Sequence, residues 1–121
     1  MDQCGAVLVA EDDELIRAVM CDFLSDRGFV PAPAANTAEA LKLVDERPDI
    51  QAAFIDIDLA DRGGGYLVAR RMRERRPDVK IVYTSGDAQG EFANQRVDDA
   101  DFVPKPYRPD CVCSLIAGRV G

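Results

Sequence analysis

Ala52-Ala53-Phe54-Ile55-Asp56-Ile57 is a continuous apolar run interrupted only by one acid near its end. A run this short and this apolar reads as a strand buried on both faces, which is the signature of a parallel sheet covered by helices. Two more runs share the character: Ala6-Val7-Leu8-Val9-Ala10 before it and Lys80-Ile81-Val82-Tyr83-Thr84 after it. Between them lie helical patterns. Asp13 opens one that carries Leu15, Ile16, Val19, Met20, Phe23 and Leu24 on one face, and Gly28 closes it. Asn36 to Glu39 has the form of a capping box for a second helix reaching Arg47, stopped by Pro48. Gly63-Gly64-Gly65 reads as a turn into a third helix, Tyr66 to Arg76, ended by Pro77. Pro109 to Val120 forms the last.

Two weaker strands complete the pattern. Phe29 to Pro33 contains Pro31 and Pro33, and Phe102-Val103-Pro104 ends on proline. Proline cannot donate to a ladder, so both belong at sheet edges. Asp87 to Asp99 has only Phe92, Ala93 and Val97 as apolar anchors, so a helix there would bury little and be locally weak. The chain thus reads as an α/β doubly wound (βα)5 sandwich of the flavodoxin-like type. Its five-stranded parallel sheet, in order 2-1-3-4-5, puts the proline strands outermost.

Composition narrows the chemistry. The chain has 121 residues, one domain by length, and a net charge of −7, which disfavours direct contact with nucleic-acid phosphates. No stretch is long and apolar enough to span a membrane, and no signal segment opens the chain. Four cysteines without a C-x-x-C pair read as reduced cytoplasmic thiols. There is no histidine. That removes Ser-His-Asp and Cys-His catalysis, histidine-ligated zinc and any phosphohistidine on this chain. Carboxylates, hydroxyls and lysine must carry whatever chemistry exists.

In open α/β sheets ligands bind beyond the carboxyl ends of the strands, where the strand order reverses. The residues at those ends are Glu11 and Asp12 after the first strand, Asp56 after the third, Thr84 and Ser85 after the fourth, and Lys105 after the fifth. Taken singly each has an ordinary explanation: a helix N-terminus favours acids, and a lysine beside a proline suits a surface turn. Converging on one rim, they demand charge compensation. Two carboxylates about 4 Å apart repel by roughly 4 kcal/mol at an effective dielectric of 20. An oxygen-only cluster of this kind suits Mg²⁺, which keeps waters and accepts a phosphoryl oxygen.

These residues resemble the receiver domain of bacterial response regulators, over essentially the whole chain. Val9-Ala10-Glu11-Asp12-Asp13 is similar to that family's acidic pocket, and Phe54-Ile55-Asp56-Ile57-Asp58-Leu59 to its phosphoacceptor strand. Tyr83-Thr84-Ser85-Gly86 matches the hydroxyl position, best at Ser85 because a small residue follows. Val103-Pro104-Lys105-Pro106 matches the Lys-Pro turn. The resemblance implies that Asp56 takes a phosphoryl group from a phosphohistidine on a histidine kinase or histidine phosphotransfer protein. It implies Mg²⁺ held by Asp12, Asp56 and the backbone carbonyl of Asp58, with Glu11 reaching it through water. Lys105 and Ser85 would hold phosphoryl oxygens. Phe102, three residues before Lys105, occupies the family's switch-aromatic position. The implied output is a downstream protein met through the segment 87–99, the fifth strand and the last helix. The implied role is signalling rather than turnover, in a chain with no output domain.

Two departures stand out. Ala60 occupies a position where the family usually has proline, and the loop from Leu59 to Gly65 is about one residue longer than the family's. Asp58 and Asp87 flank the expected phosphoryl position. Two rival readings differ in class. Asp56-Ile57-Asp58 also resembles the first motif of haloacid-dehalogenase-type phosphatases, but that reading leaves Glu11-Asp12 unexplained and lacks an acidic pair after Lys105. A non-phosphorylated pseudo-receiver would have lost the acceptor, the acids or the lysine, and this chain has them all.

Overall fold

The computed structural model describes residues 5–59, 64–86 and 97–120. Five parallel strands, β1 (Ala6–Ala10), β2 (Val30–Ala34), β3 (Ile50–Asp56), β4 (Lys80–Ser85) and β5 (Ala100–Pro104), form one sheet in the order β2-β1-β3-β4-β5. Helices α1 (Glu14–Asp26), α2 (Thr37–Glu46), α3 (Gly64–Arg75) and α4 (Pro109–Val120) cover it. Alternation along each strand sorts the core into two layers. Val7, Val9, Phe54 and Val82 pack with Met20 and Leu24 of α1 and with Val112 and Ile116 of α4. Leu8, Ile55, Ile81 and Tyr83 pack on the other face with Val44 of α2 and Met72 of α3. The three apolar runs are the central strands β1, β3 and β4, as their lack of alternation requires.

The prolines sit where the ladder tolerates them. Val30 N–H donates to Gly5 O across the β1–β2 pair at 3.0 Å. Alternation then gives positions 31 and 33 the open side of this edge strand, so two missing N–H groups cost nothing and also blunt the edge. The register is Pro31 opposite Val7 and Pro33 opposite Val9. The strand begins one residue later than the apolar pattern suggests. Phe29 instead closes α1, its N–H donating to Leu24 O, behind Gly28 at φ 89°.

Caps follow the sequence closely. Asp13 accepts from Ile16 N–H at 3.0 Å, and Asn36 accepts from Glu39 N–H at 2.9 Å. The return bond of the second box runs from Ala35 N–H to Glu39 Oε1, one residue earlier than the standard box.

The third helix departs from expectation at its start. Gly64 and Gly65 are its first residues, both buried, rather than part of a preceding turn. A Cβ at Gly65 would lie 2.5 Å from Asp56 O and 2.8 Å from Ile57 Cα. Glycine is needed because the helix starts against the backbone of the β3 end. Residues 97–99 are not helical: Asp99 has φ 59°, and Val97 N–H donates to the Tyr83 hydroxyl. The rest of the expected fourth helical segment, with Asp87, and also Ala60 and Gly63, lie outside the described residues.

Candidate functional site

Parallel register brings the strand ends to one rim. Glu11 follows β1, Asp56 ends β3 opposite Thr84, and Ser85 ends β4 opposite Pro104. The Lys105 backbone is fixed there by its N–H bond to Ser85 O at 3.0 Å. The Lys105–Pro106 peptide is cis.

The consecutive acids of the first loop take three different environments. Glu11 is fully buried, Asp12 is exposed, and Asp13 caps α1. Carboxylate oxygens of Glu11, Asp12 and Asp56 lie within 4.8 Å of one another. Asp56 is 3% exposed. Its Oδ2 is 2.9 Å from Lys105 Nζ, and its Oδ1 accepts from Asp58 N–H at 3.0 Å. Lys105 also reaches Glu11, with Nζ 3.1 Å from Oε1 though without an aligned hydrogen bond to that atom. Glu11 Oε2 accepts from Asp13 N–H at 3.1 Å. Glu11 and Asp56 therefore share the Lys105 ammonium, with the exposed Asp12 carboxylate beside them.

The electrostatics follow from burial and crowding. Burial pushes the Glu11 carboxyl up from 4.5 to about 7, and the neighbouring Asp56 adds to the rise, while the Asp13 N–H and Lys105 pull against it. For Lys105, burial lowers the ammonium, but its bonds to Asp56 and Glu11 outweigh that and hold it above its usual range. The Tyr107 hydroxyl is also raised, by burial first and then by the charges of Glu11, Asp56 and Asp13. A cluster so short of positive charge fits a divalent cation with hard oxygen ligands. Glu11, Asp12 and Asp56 are the side chains that could hold one.

Ser85 and Phe102 stand differently. Ser85 is buried and its Oγ donates to Asp58 Oδ2 at 2.8 Å. Asp58 therefore links Asp56 to Ser85, through its N–H on one side and its carboxylate on the other. Phe102 is half-buried, registered opposite Tyr83, and packs on the α2–α3 layer of the core rather than at the acid cluster.

Several contacts had no sequence signal. The Glu11–Lys105 ion pair joins residues far apart in the chain. Thr84, cross-strand neighbour of Asp56, is fully buried and its Oγ1 has no hydrogen-bond partner among the described residues. Tyr107 packs edge-on against Phe54 at 5.0 Å between ring centroids. Beside Lys105 a cleft of about 540 Å³ opens, lined by Leu15, Ile16, Val19, Pro106, Tyr107 and Pro109. Leu15 there is 73% exposed. A helical face drawn to bury Leu15 and Val19 predicted neither exposure.

Comparison with known proteins agrees with this geometry. The family model for the response regulator receiver domain matches residues 7–117. An NtrX-like response regulator of Rickettsia typhi is 32% identical over 113 residues, 91% of this chain. The chain spans 24% of that relative's length. The crystal structure of a response regulator receiver protein from Sinorhizobium medicae superposes with a TM-score of 0.88 at 27% identity, covering 95% of this chain and 93% of that one. A response regulator protein from Burkholderia pseudomallei, solved with a phosphorylated aspartic acid, a calcium ion and citrate, gives 0.81 at 26% identity, covering 98% and 71%. The dehalogenase-type reading falls with these matches: the sheet order, the acid-rich rim and the family model agree, and the chain belongs to the response regulator receiver domain family.

Proposed function

We propose that Asp56 accepts a phosphoryl group from a phosphohistidine on a partner histidine kinase or histidine phosphotransfer protein, and that the added charge switches a protein-interaction surface. The observation that carries this reading is the Asp56–Lys105 pair at 2.9 Å, set beside Glu11 and Asp12 in the crevice where strand order reverses. A carboxylate oxygen attacks an electron-rich phosphorus only where positive charge offsets both. Lys105 supplies one such charge and orients the acceptor. Asp12, Asp56 and the Asp58 carbonyl would hold Mg²⁺, with Glu11 behind them, and the ion would neutralise the phosphoryl oxygens during transfer. The donor imidazole leaves with the electron pair of the broken P–N bond. That imidazole must come from outside these 121 residues, which contain no histidine.

The apolar cleft beside Lys105 gives the donor a place to sit. Leu15 and Val19 of α1 and Tyr107 after β5 flank the approach to Asp56. Output runs from Ser85 and Phe102 to the surface of β5, α4 and the segment before β5. No helix among the described residues is long and apolar enough to cross a membrane, and Cys21, Cys111 and Cys113 are free thiols, both in keeping with a cytoplasmic role.

The test is Mg²⁺-dependent labelling by acetyl phosphate. Wild type takes up one acid-stable, hydroxylamine-labile phosphoryl group, and Asp56→Asn takes up none. Undiminished labelling of that variant overturns the assignment. Leu15→Asp separates donor docking from chemistry: it slows transfer from a phosphorylated kinase while leaving acetyl phosphate labelling intact.

A further inference from the structure

We propose that Asp58 is a positioning residue whose carboxylate holds the Ser85 hydroxyl away from Asp56, and so sets how readily Ser85 engages a phosphoryl group there. The inference rests on the reading of Asp56 as the phosphoacceptor and deepens it. Ser85 Oγ donates to Asp58 Oδ2 at 2.8 Å, a charge-assisted bond of ordinary length at a side chain only 4% exposed. A serine hydroxyl has one proton. While that proton is given to Asp58 it cannot be given to a phosphoryl oxygen on Asp56. Capture of the phosphoryl group by Ser85 therefore requires breaking a bond already made.

The geometry makes the competition direct. Asp58 is tethered beside the acceptor, because its own N–H donates to Asp56 Oδ1 at 3.0 Å. Its carboxylate is thus on the same rim as the incoming group, which carries roughly −1.5 to −2 charges. Two anions then contend for one hydroxyl. The stronger anion wins, but by less than it would with no competitor. Asp58 is half-buried, so water can take over its freed carboxylate oxygen. The threshold is a graded one rather than a lock.

The effect must be separated from simple charge repulsion between Asp58 and the phosphoryl group. A double-mutant cycle does this on the full 121-residue chain, using beryllofluoride with Mg²⁺ as the probe. Asp58→Ala binds the mimic about tenfold more tightly than wild type, and Asp58→Asn, which retains a neutral acceptor, falls between them. In a Ser85→Ala background the gain from Asp58→Ala shrinks below about twofold, because the competed proton is gone. A gain of equal size in both backgrounds means repulsion alone and overturns the proposal, as does no gain at all. A second measurement needs neither metal nor mimic. Ser85 Hα–Hβ couplings report one side-chain rotamer in wild type and averaging in Asp58→Ala and Asp58→Asn; unaveraged couplings in both variants overturn it. If wild type binds no beryllofluoride, the phosphoacceptor reading fails, and the couplings alone decide whether Asp58 positions Ser85.

Discussion

The two ends of the same sheet handle charge in opposite ways. At the strand N-terminal end, arginines meet carbonyl oxygens. Arg76 donates to Val44 O at 2.9 Å and Arg47 O at 2.7 Å, tying the last turn of α2 to the end of α3. Arg73 donates to the carbonyls of Asp98, Val79 and Asp99. Lys80 pairs with Asp101 across β4 and β5. The cleft at that end, about 660 Å³ and lined by Pro48, Ile50, Gln51, Arg76, Pro77 and Asp99 among others, is larger than the one beside Lys105. Yet its cations are already spent on the backbone. At the other end, among the described residues, the buried carboxylates Glu11 and Asp56 share the single Lys105 ammonium, while Arg17 donates only to the Glu11 carbonyl. Size marks neither end as functional; unbalanced, desolvated charge does.

The strongest challenge to this comparison is steric. Gly65→Ala puts a methyl 2.5 Å from Asp56 O, against backbone that cannot rotate away. The expected cost is about 3 kcal/mol, read from denaturant midpoints, with weakened Mg²⁺ binding because the β3 end must shift. Gly86→Ala, where a Cβ meets nothing within 4 Å, is the matched control and leaves both unchanged. If the two variants behave alike, the close packing of α3 on the acceptor strand is not what holds this rim.

Next comes the sign of charge removal. Arg76→Met strips two donors from the terminal carbonyls of α2 and destabilises the chain by about 2 kcal/mol, without touching Mg²⁺ affinity. Asp12→Asn does the reverse. Asp12 is exposed, so metal-free stability changes by less than about 0.5 kcal/mol, while Mg²⁺ binding is lost. Destabilisation by both would erase the distinction between the ends. Glu11→Gln weakens Mg²⁺ less than Asp12→Asn if Glu11 contacts the ion through water; the opposite order in calorimetric titrations exchanges their roles.

The last expected effect is pH-dependent. The folded-state value for Glu11 is raised by burial to about 7 from 4.5. Between those values the folded chain keeps a proton that the unfolded chain releases, so metal-free stability declines as pH rises through the window. Mg²⁺ binding displaces that proton, and its affinity therefore rises severalfold between pH 6 and pH 8. The dependence disappears in Glu11→Gln. A flat profile in wild type means that Glu11 does not couple to the ion.

Most of the elements, and the identity of the rim, are legible in local sequence. Three apolar runs without alternation read as central parallel strands, two proline-bearing strands as edges, and their order carries Glu11, Asp12, Asp56, Ser85 and Lys105 to one side. These are local properties: periodicity, missing N–H groups and caps act over a few residues, so they are legible without coordinates. Who meets whom depends instead on tertiary packing. Lys105 is shared between Asp56 and Glu11, Asp58 holds Ser85, Gly65 admits the backbone of Asp56, and Leu15 is left in water. The α1 face that carries Leu15 is amphipathic, but Leu15 itself lies exposed at its edge. Contacts of this kind depend on ångström-scale register between segments far apart in the chain. Only the packed sheet, with its two layers of helices, fixes that register.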